Sequence, residues 1–358
     1  MKQIDRAFIF FLFALLAIGA MMIFSATPTL GLRVGDPFFY ITRHFFYLVL
    51  GAVAFGLALR LDLEEIRKNS GTIFIVAIIL MLLLFVPGIR LKVSGAARWV
   101  SLPFFTFQPS EIMKLAMIFF LANYLSKRKE AIKDFRKGLL LPLIMLAVVD
   151  GLTMLQPDMG TALVLSGITF VMLFVGGARI KHLGAILLSG VGAGAALIAV
   201  EPYRFARILA YLNPWDHPRD IGFHIIQSLI AVGSGGFWGV GLGGSRQKFF
   251  YLPQQYTDFI FAIICEELGF IGAVAIIALV IFFIGRGLMI AEKTKDQFSA
   301  LVVVGIMSWI GIQAMINMLV VIGILPTTGI PLPFISYGGT STIILMFAAG
   351  IVARISRG

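Results

Sequence analysis

The stretch "GVGLGGSRQKFFYLPQQYTDF", from Gly239 to Phe259, brings glycines, two cations and a carboxylate close together in the chain. Gly239, Gly241 and Gly244 satisfy the G-x-G-x-x-G spacing of a dinucleotide-binding turn. That motif needs a buried strand before it, a helix after it and an acid about twenty residues on. Here the glycines follow an apolar helical pattern and precede Arg-Gln-Lys, so the dinucleotide reading fails on context. The chemistry of the parts survives. Backbone amides without side chains approach phosphate oxygens closely, and Arg246 and Lys248 balance the charge of such a group. Asp258 opens an apolar run, where a carboxylate ordinarily caps a helix and contributes about 0.5–2 kcal/mol.

The elements that must position these residues are membrane helices. The chain has 358 residues, 59% hydrophobic and only 13% charged. A water-soluble domain of this length needs more charge than that to cover its surface. Uncharged runs at Ala7–Ala26, Gly71–Ile89, Met159–Ala178, Leu183–Val200 and Leu268–Gly285 each reach the roughly 18 residues that cross a bilayer. No charge occurs from Gln297 to Ala353, and "GILPTTGIPLPFISYGG" divides that run in two. The expected fold is an all-α polytopic membrane protein forming one domain over 1–358. About ten spans are expected, at 7–26, 45–60, 71–89, 109–126, 138–155, 158–177, 183–200, 258–285, 298–322 and 337–354. The first apolar run is too long for a secretory leader and lacks a cleavage site, so it reads as a retained span. Both termini are expected in the cytoplasm, with a large structured external loop, 201–257, between spans seven and eight. Cys265 is the single cysteine and the four histidines are scattered, so neither a disulfide nor a zinc spacing is present.

Most Lys and Arg fall on the inner side in this topology, led by "KRKEAIKDFRK" (Lys127 to Lys137), as the positive-inside rule requires. The net charge of +11 is therefore a topology and anionic-lipid signal, with no nucleic acid implied. A minority of cations oppose the rule: Arg90, Lys92, Arg98, Arg204, Arg207, Arg219, Arg246 and Lys248. They imply either an external anionic ligand or contact with outer head groups. Within 201–257, "EPYRFARILAYL" has helical spacing and "GFHIIQSLIAVG" reads as an amphipathic or re-entrant helix. The glycine-rich "GSGGFWGVGLGG" between membrane elements is expected to line a cavity, since irregular backbone at that depth must be buried or wet. Glu111 and Lys114, three apart on the fourth span, can pair inside the bilayer, either to shape a cavity or to neutralise each other. Ser110 and Asp158 are cap candidates. Glu266 and Glu267 lie about 12 Å along the helix from Asp258 and are expected to meet inward-facing cations.

Several ordered motifs resemble one family. They are "ARWVSLPFFTFQPSEIMKL" (Ala97 to Leu115), "QPDMGTA" (Gln156 to Ala162), "NPW" (Asn213 to Trp215), "IIQSLIAVGSGGFWGVGLGGSRQKFFYLP" (Ile225 to Pro253), "TDFIFAIICEELGFIG" (Thr257 to Gly272) and "GIPLPFISYGG" (Gly329 to Gly339). Together they resemble the SEDS family of peptidoglycan polymerases, its FtsW and SpoVE branch more than its RodA branch. Ala97, where a basic residue usually precedes Arg-Trp, and Gly244, where Asn is frequent, depart from the pattern.

The resemblance implies a peptidoglycan glycosyltransferase that polymerises lipid II on the outer face of the bacterial cytoplasmic membrane, for division or sporulation. It makes Asp258 the catalytic carboxylate, a general base for a sugar hydroxyl, a role worth about 10²–10⁴ in rate. Arg246 and Lys248 become a pyrophosphate clamp, with Arg204 and Arg207 as weaker candidates. Arg98, Trp99, Gln108, Glu111, Lys114, Asp158 and Ser336 become substrate-cavity positions. The reading is compatible with a divalent ion, Mg²⁺ or Mn²⁺, carried on the pyrophosphate without a dedicated metal cage. The implied partners are a class B penicillin-binding protein transpeptidase and further division or elongation proteins. A lipid II flippase and a non-catalytic scaffold for a transpeptidase are the alternatives.

Overall fold

The computed structural model describes residues 4–88, 90–93, 96–101, 106–200, 205–206, 211–216, 218, 222–249 and 251–358, without the side chains of 92, 93, 96, 97, 193, 197 and 198. Its long helices are α1 (Arg6–Ala26), α2 (Phe39–Ala58), α3 (Leu63–Leu82), α4 (Pro109–Lys127), α5 (Leu140–Leu155), α6 (Met159–Val175) and α7 (Ile180–Val200). A shorter α8 (Phe223–Ser234) precedes α9 (Ile260–Lys293), α10 (Gln297–Val321) and α11 (Gly339–Ser356). Among the described residues seven helices are long and apolar enough to span a membrane: α1, α2, α3, α5, α9, α10 and α11. Of the about ten spans expected, these seven qualify by length and hydropathy, and α4, α6 and α7 occupy the places of three others.

Helix ends differ from the expected spans where charge begins a helix. The third helix starts at Leu63, not near 71, because Asp62 caps it by accepting from the Glu64 amide at 2.9 Å. Its charged first turns then precede the apolar run. The second likewise starts at Phe39.

The centre of the bundle is the least lipid-like helix. In α4, fourteen of nineteen residues are buried, including Glu111 and Lys114. It packs against α3, α6, α10 and α11, and those neighbours shelter its charges from lipid. Helix α10 is buried over most of its length, whereas α1 and α2 expose Phe10, Phe13, Phe24, Phe45 and Phe46. Apolar surface of that extent fits hydrocarbon, not water.

A small sheet interrupts the helices, and no strand was expected there. Strands β1 (Arg90–Val93), β2 (Ala96–Ser101) and β3 (Thr106–Phe107) pair antiparallel in that order, with Arg90 opposite Val100 and Leu91 opposite Trp99. Successive strand residues face opposite sides. That alternation is broken at Arg98, the unpaired extra residue of a β-bulge between Ala97, opposite Lys92, and Trp99, opposite Leu91.

The expected helix at "EPYRFARILAYL" lies mostly outside the described residues, as do Arg204, Arg207 and Arg219. The α8 helix forms as expected and anchors to the core through Ser228 Oγ, which donates to the Val321 carbonyl at 2.8 Å.

Helix α9 is broken once. Gly269 has φ 67° and ψ −165°, and the loop after α8 inserts at the break. Val240 and Gly241 donate to the Glu266 and Glu267 carbonyls at 3.0 Å each, and the Phe270 amide donates to Gly236 at 3.0 Å. The glycine-rich loop is thus a backbone-paired wedge in the helix, a correction to its expected role as cavity lining. A Cβ at Gly269 would lie 2.3 Å from the Gly239 nitrogen. Gly269→Ala is expected to cost at least about 1–3 kcal/mol from the positive φ alone, measured as a lower melting midpoint in detergent. An unchanged midpoint would show that the break is not built as described.

Candidate active site

Asp258 sits just ahead of α9 but does not cap it. The N-cap is Phe259, and no side chain supplies a capping hydrogen bond. Its carboxylate is therefore not committed to helix ends. The backbone around it is tied on two sides. Asn317 on α10 donates through Nδ2 to the carbonyls of Asp258 and Ile330, 2.7 Å each. Ser336 donates to the Thr257 carbonyl at 2.6 Å and accepts from the Leu332 amide at 2.7 Å. The Tyr337 amide donates to Tyr256 at 2.9 Å, and Gln313 Nε2 holds the Pro331 carbonyl at 3.0 Å. The "GIPLPFISYGG" segment is thereby a strap that fixes residues 256–258 in place. Ser336, expected to touch substrate, uses its hydroxyl for this tie instead.

The charge beside Asp258 comes from the sheet. Gly329 has φ 73°, and a Cβ there would lie 3.6 Å from both Arg98 Nη1 and Asp258 Oδ2. The absent side chain leaves a gap flanked by the guanidinium and the carboxylate. Arg98 donates to the Pro157 carbonyl and sits 3.7 Å from Asp158 Oδ2. Asp158 in turn caps α6, accepting from the Thr161 amide at 3.2 Å and hydroxyl at 2.8 Å. Arg98, Asp158, Asp258 and Gly329, from four separate segments, thus form one cluster. The Asp258 side chain is half-buried. Desolvation pushes its pKa up to about 6, with Asp158 adding to the rise, while Arg98 and the Thr257 hydroxyl oppose it. That value suits a base working near neutrality.

The loop cations are placed otherwise than expected. Lys248 is buried, with its ammonium bonded to the Gly243 carbonyl and 3.3 Å from Glu267. The clamp role expected for it is corrected: the charge is neutralised inside the fold. The loop amides are also occupied. Arg246 and Gln247 donate to Glu266 at 2.9 and 3.4 Å, and Ser245 Oγ bonds the same carboxylate. Glu267 accepts from Ser25 on α1 at 2.6 and 2.8 Å. The amides of Gly239, Gly241 and Gly244 go to the carbonyls of Gly235, Glu267 and Gly241, so the phosphate cradle read from the glycines is closed by the chain itself. Removing that acceptor in Glu266→Ala should speed amide exchange at Arg246 and Gln247 by about tenfold or more, the equivalent of roughly one hydrogen bond. Unchanged exchange by mass spectrometry would mean that the acid does not hold the loop. Arg246 keeps an exposed side chain.

Deeper in the bundle, Lys114 bonds Glu111 at 2.7 Å and Gln313 Oε1 at 3.0 Å, and lies 4.7 Å from the centre of the Trp309 ring. Trp309 donates to the same Gln313 oxygen at 2.8 Å. Gln313 therefore links this ion pair to the strap that holds Asp258. Gln108 precedes α4 half-buried and makes no side-chain cap. Gln313 and Asn317 were not anticipated. Their signal was present, as two amides four residues apart in an otherwise apolar span, a spacing that puts both on one helix face.

Comparison with known proteins gives the family. A family model, FtsW/RodA/SpoVE, described as "Cell cycle protein", matches residues 6–358. The chain belongs to the FtsW/RodA/SpoVE family. Among its relatives, stage V sporulation protein E of Bacillus subtilis (strain 168) is 44% identical over 96% of this chain and 94% of its own. The probable peptidoglycan glycosyltransferase FtsW of Geobacter metallireducens is 39% identical over 99% of this chain and 96% of its own. Among solved structures, a chain of a peptidoglycan synthase complex that coordinates polymerization and crosslinking superposes with TM-score 0.83. It is 28% identical and covers 99% of this chain and 98% of that one. The rod shape determining protein RodA of Thermus thermophilus gives TM-score 0.72 at 27% identity, covering 99% and 97%. This FtsW/RodA/SpoVE member therefore shares its helical fold with those chains from end to end.

Proposed function

We propose that this protein is a peptidoglycan glycosyltransferase that joins lipid II units into glycan strands at the outer face of the bacterial cytoplasmic membrane. The observation that carries the reading is Asp258: uncapped, rigidly tied, and across the Gly329 gap from Arg98. In the reaction a sugar hydroxyl of the acceptor attacks the donor's anomeric carbon. Its proton passes to Asp258, and the bond from that carbon to the pyrophosphate oxygen breaks. Arg98 is the cation placed to balance the departing charge. With one carboxylate in position to act and no covalent intermediate, the anomeric carbon inverts.

Similarity to SpoVE and FtsW supports service in sporulation or division. The synthase-complex neighbour supports a class B penicillin-binding protein transpeptidase as partner, with other division or elongation proteins around it. The donor set does not fit a resident divalent ion. Asp158 is committed to Thr161 and Arg98, and among the described residues no three metal-ligating side chains gather. We place any Mg²⁺ or Mn²⁺ on the pyrophosphate and derive no step through it.

The test is product formation. Full-length protein purified with its transpeptidase and supplied with lipid II is expected to yield glycan strands resolvable by gel. Movement of lipid II across a vesicle membrane without joining would support the flippase alternative and overturn this reading. Absence of both activities in the assembled complex would favour the scaffold.

A further inference from the structure

Three tyrosines from three segments meet, and one of them, Tyr256, lies near enough to Asp258 to feel its charge. Tyr40 lies on the first turn of α2, Tyr256 stands two residues before Asp258, and Tyr337 ends the strap before α11. Their ring centres are 5.1 Å apart for Tyr40 and Tyr256, 5.8 Å for Tyr40 and Tyr337, and 5.5 Å for Tyr256 and Tyr337. They close a triangle, and each ring is half-buried, so the cluster keeps an open side. Tyr47, one helical repeat along α2, extends it at 6.2 Å from Tyr337.

The residue type sets this cluster apart from ordinary packing. The chain has 33 phenylalanines and 8 tyrosines, and four of those tyrosines gather here. A cluster needed only to fill space in an apolar bundle gains nothing from hydroxyl groups that then require partners. Burial pushes the Tyr256 phenol up to about 12 and also raises that of Tyr337, so both remain neutral donors at any working pH. Behind Tyr337, with ring centres 6.0 Å apart, lies His44, fully buried and with neither nitrogen hydrogen-bonded. The surface is thus aromatic and rich in hydroxyls, with the Tyr40 and Tyr256 hydroxyls bonded to each other and the charge of Arg43 acting on Tyr337. Arg98, the cation of the site, stands at Gly329.

We propose that Tyr40, Tyr256 and Tyr337 form a platform that receives a sugar ring of the acceptor glycan and presents its hydroxyl to Asp258. Aromatic faces carry negative charge and attract the polarised C–H face of a pyranose, while phenol hydroxyls bond its ring substituents. A phosphate has no use for three aromatic rings beside one cation, and a polyprenyl chain has no use for hydroxyls. A neutral sugar uses both features. The inference rests on the polymerase reading only for which sugar is bound, since the platform's affinity is independent of turnover.

The test uses binding, so that it stands apart from catalysis. Full-length chain carrying Asp258→Asn is titrated with chitotetraose, a soluble N-acetylglucosamine oligomer, and followed by saturation-transfer NMR. Binding is expected, weakened about tenfold or more by adding Tyr40→Leu, and weakened by a smaller factor, about three- to tenfold, by adding Tyr40→Phe, which keeps the ring and loses one hydroxyl. No binding to the Asp258→Asn chain, or equal binding to the Tyr40→Leu chain, would overturn the platform. If Tyr40→Leu lowers the melting midpoint, the ultraviolet difference spectrum of the Asp258→Asn chain decides. A change in the tyrosine band on adding chitotetraose supports the platform, and none overturns it. The polymerase reading is judged separately, by strand formation with the wild-type chain, and its failure leaves these outcomes interpretable.

Discussion

Asp258→Asn is expected to lower the rate of glycan extension by about 10²–10⁴ while leaving the melting midpoint nearly unchanged. Both halves follow from the geometry. The asparagine keeps the size of the side chain but removes the proton acceptor. The position is held through its backbone carbonyl by Asn317, and the carboxylate makes no helix cap, so the ties that fix residues 256–258 survive the change. Apparent affinity for lipid II should move little, because the lost interaction matters mainly in the transition state. A variant that still polymerises at more than about a tenth of the wild-type rate would remove Asp258 from the base role. A variant that loses activity together with its melting transition would point to a structural carboxylate.

The second large effect concerns the ion pair within the bundle. Lys114→Met is expected to destabilise the protein by about 3–5 kcal/mol, because it strands Glu111 as a buried charge. Glu111 already has one oxygen, Oε2, without a partner, so Lys114 is its main compensation at 2.7 Å. The double variant Glu111→Gln/Lys114→Met should recover most of that loss, as replacing a whole buried pair is often close to neutral. Activity should recover less. Lys114 shares the Gln313 oxygen, and Gln313 holds Pro331 in the strap behind Asp258. Thermal denaturation of the single and double variants in detergent measures the first effect, and strand synthesis the second. Equal destabilisation in both would show that the pair is not self-compensating. Full recovery of activity would detach it from the strap.

These effects lie on contacts of differing legibility in the sequence. Uncharged runs of bilayer length made the helices readable, and the Glu111–Lys114 pair followed from a spacing of three. Asp258 was readable through the motif around it. The Arg98 partnership was not, because residues 98, 158, 258 and 329 are far apart in the chain and meet only through tertiary packing. The strands were hidden by their shortness: two to six residues inside a loop carry too few alternations to stand out. Lys248 was misassigned because α9 reads as one continuous apolar helix. A lone glycine at 269 gives little sign of a break, yet that break lets the loop descend until Lys248 meets Glu267. The glycine spacing from Gly239 to Gly244 marked a wedge, not an anion site, because those three amides pair with backbone carbonyls.

The central claim is that Asp258 must be ionised to accept a proton. Burial sets its pKa at about 6, so the ionised fraction, and with it the rate, should rise with pH through that value and level off above it. The deciding measurement is the single-turnover rate of glycan extension from pH 5 to 8, made on the wild-type complex with lipid II saturating. A rise with its midpoint near 6, absent from the residual rate of Asp258→Asn, is the predicted result. A flat wild-type profile across that range, or the same midpoint in the asparagine variant, would contradict the account.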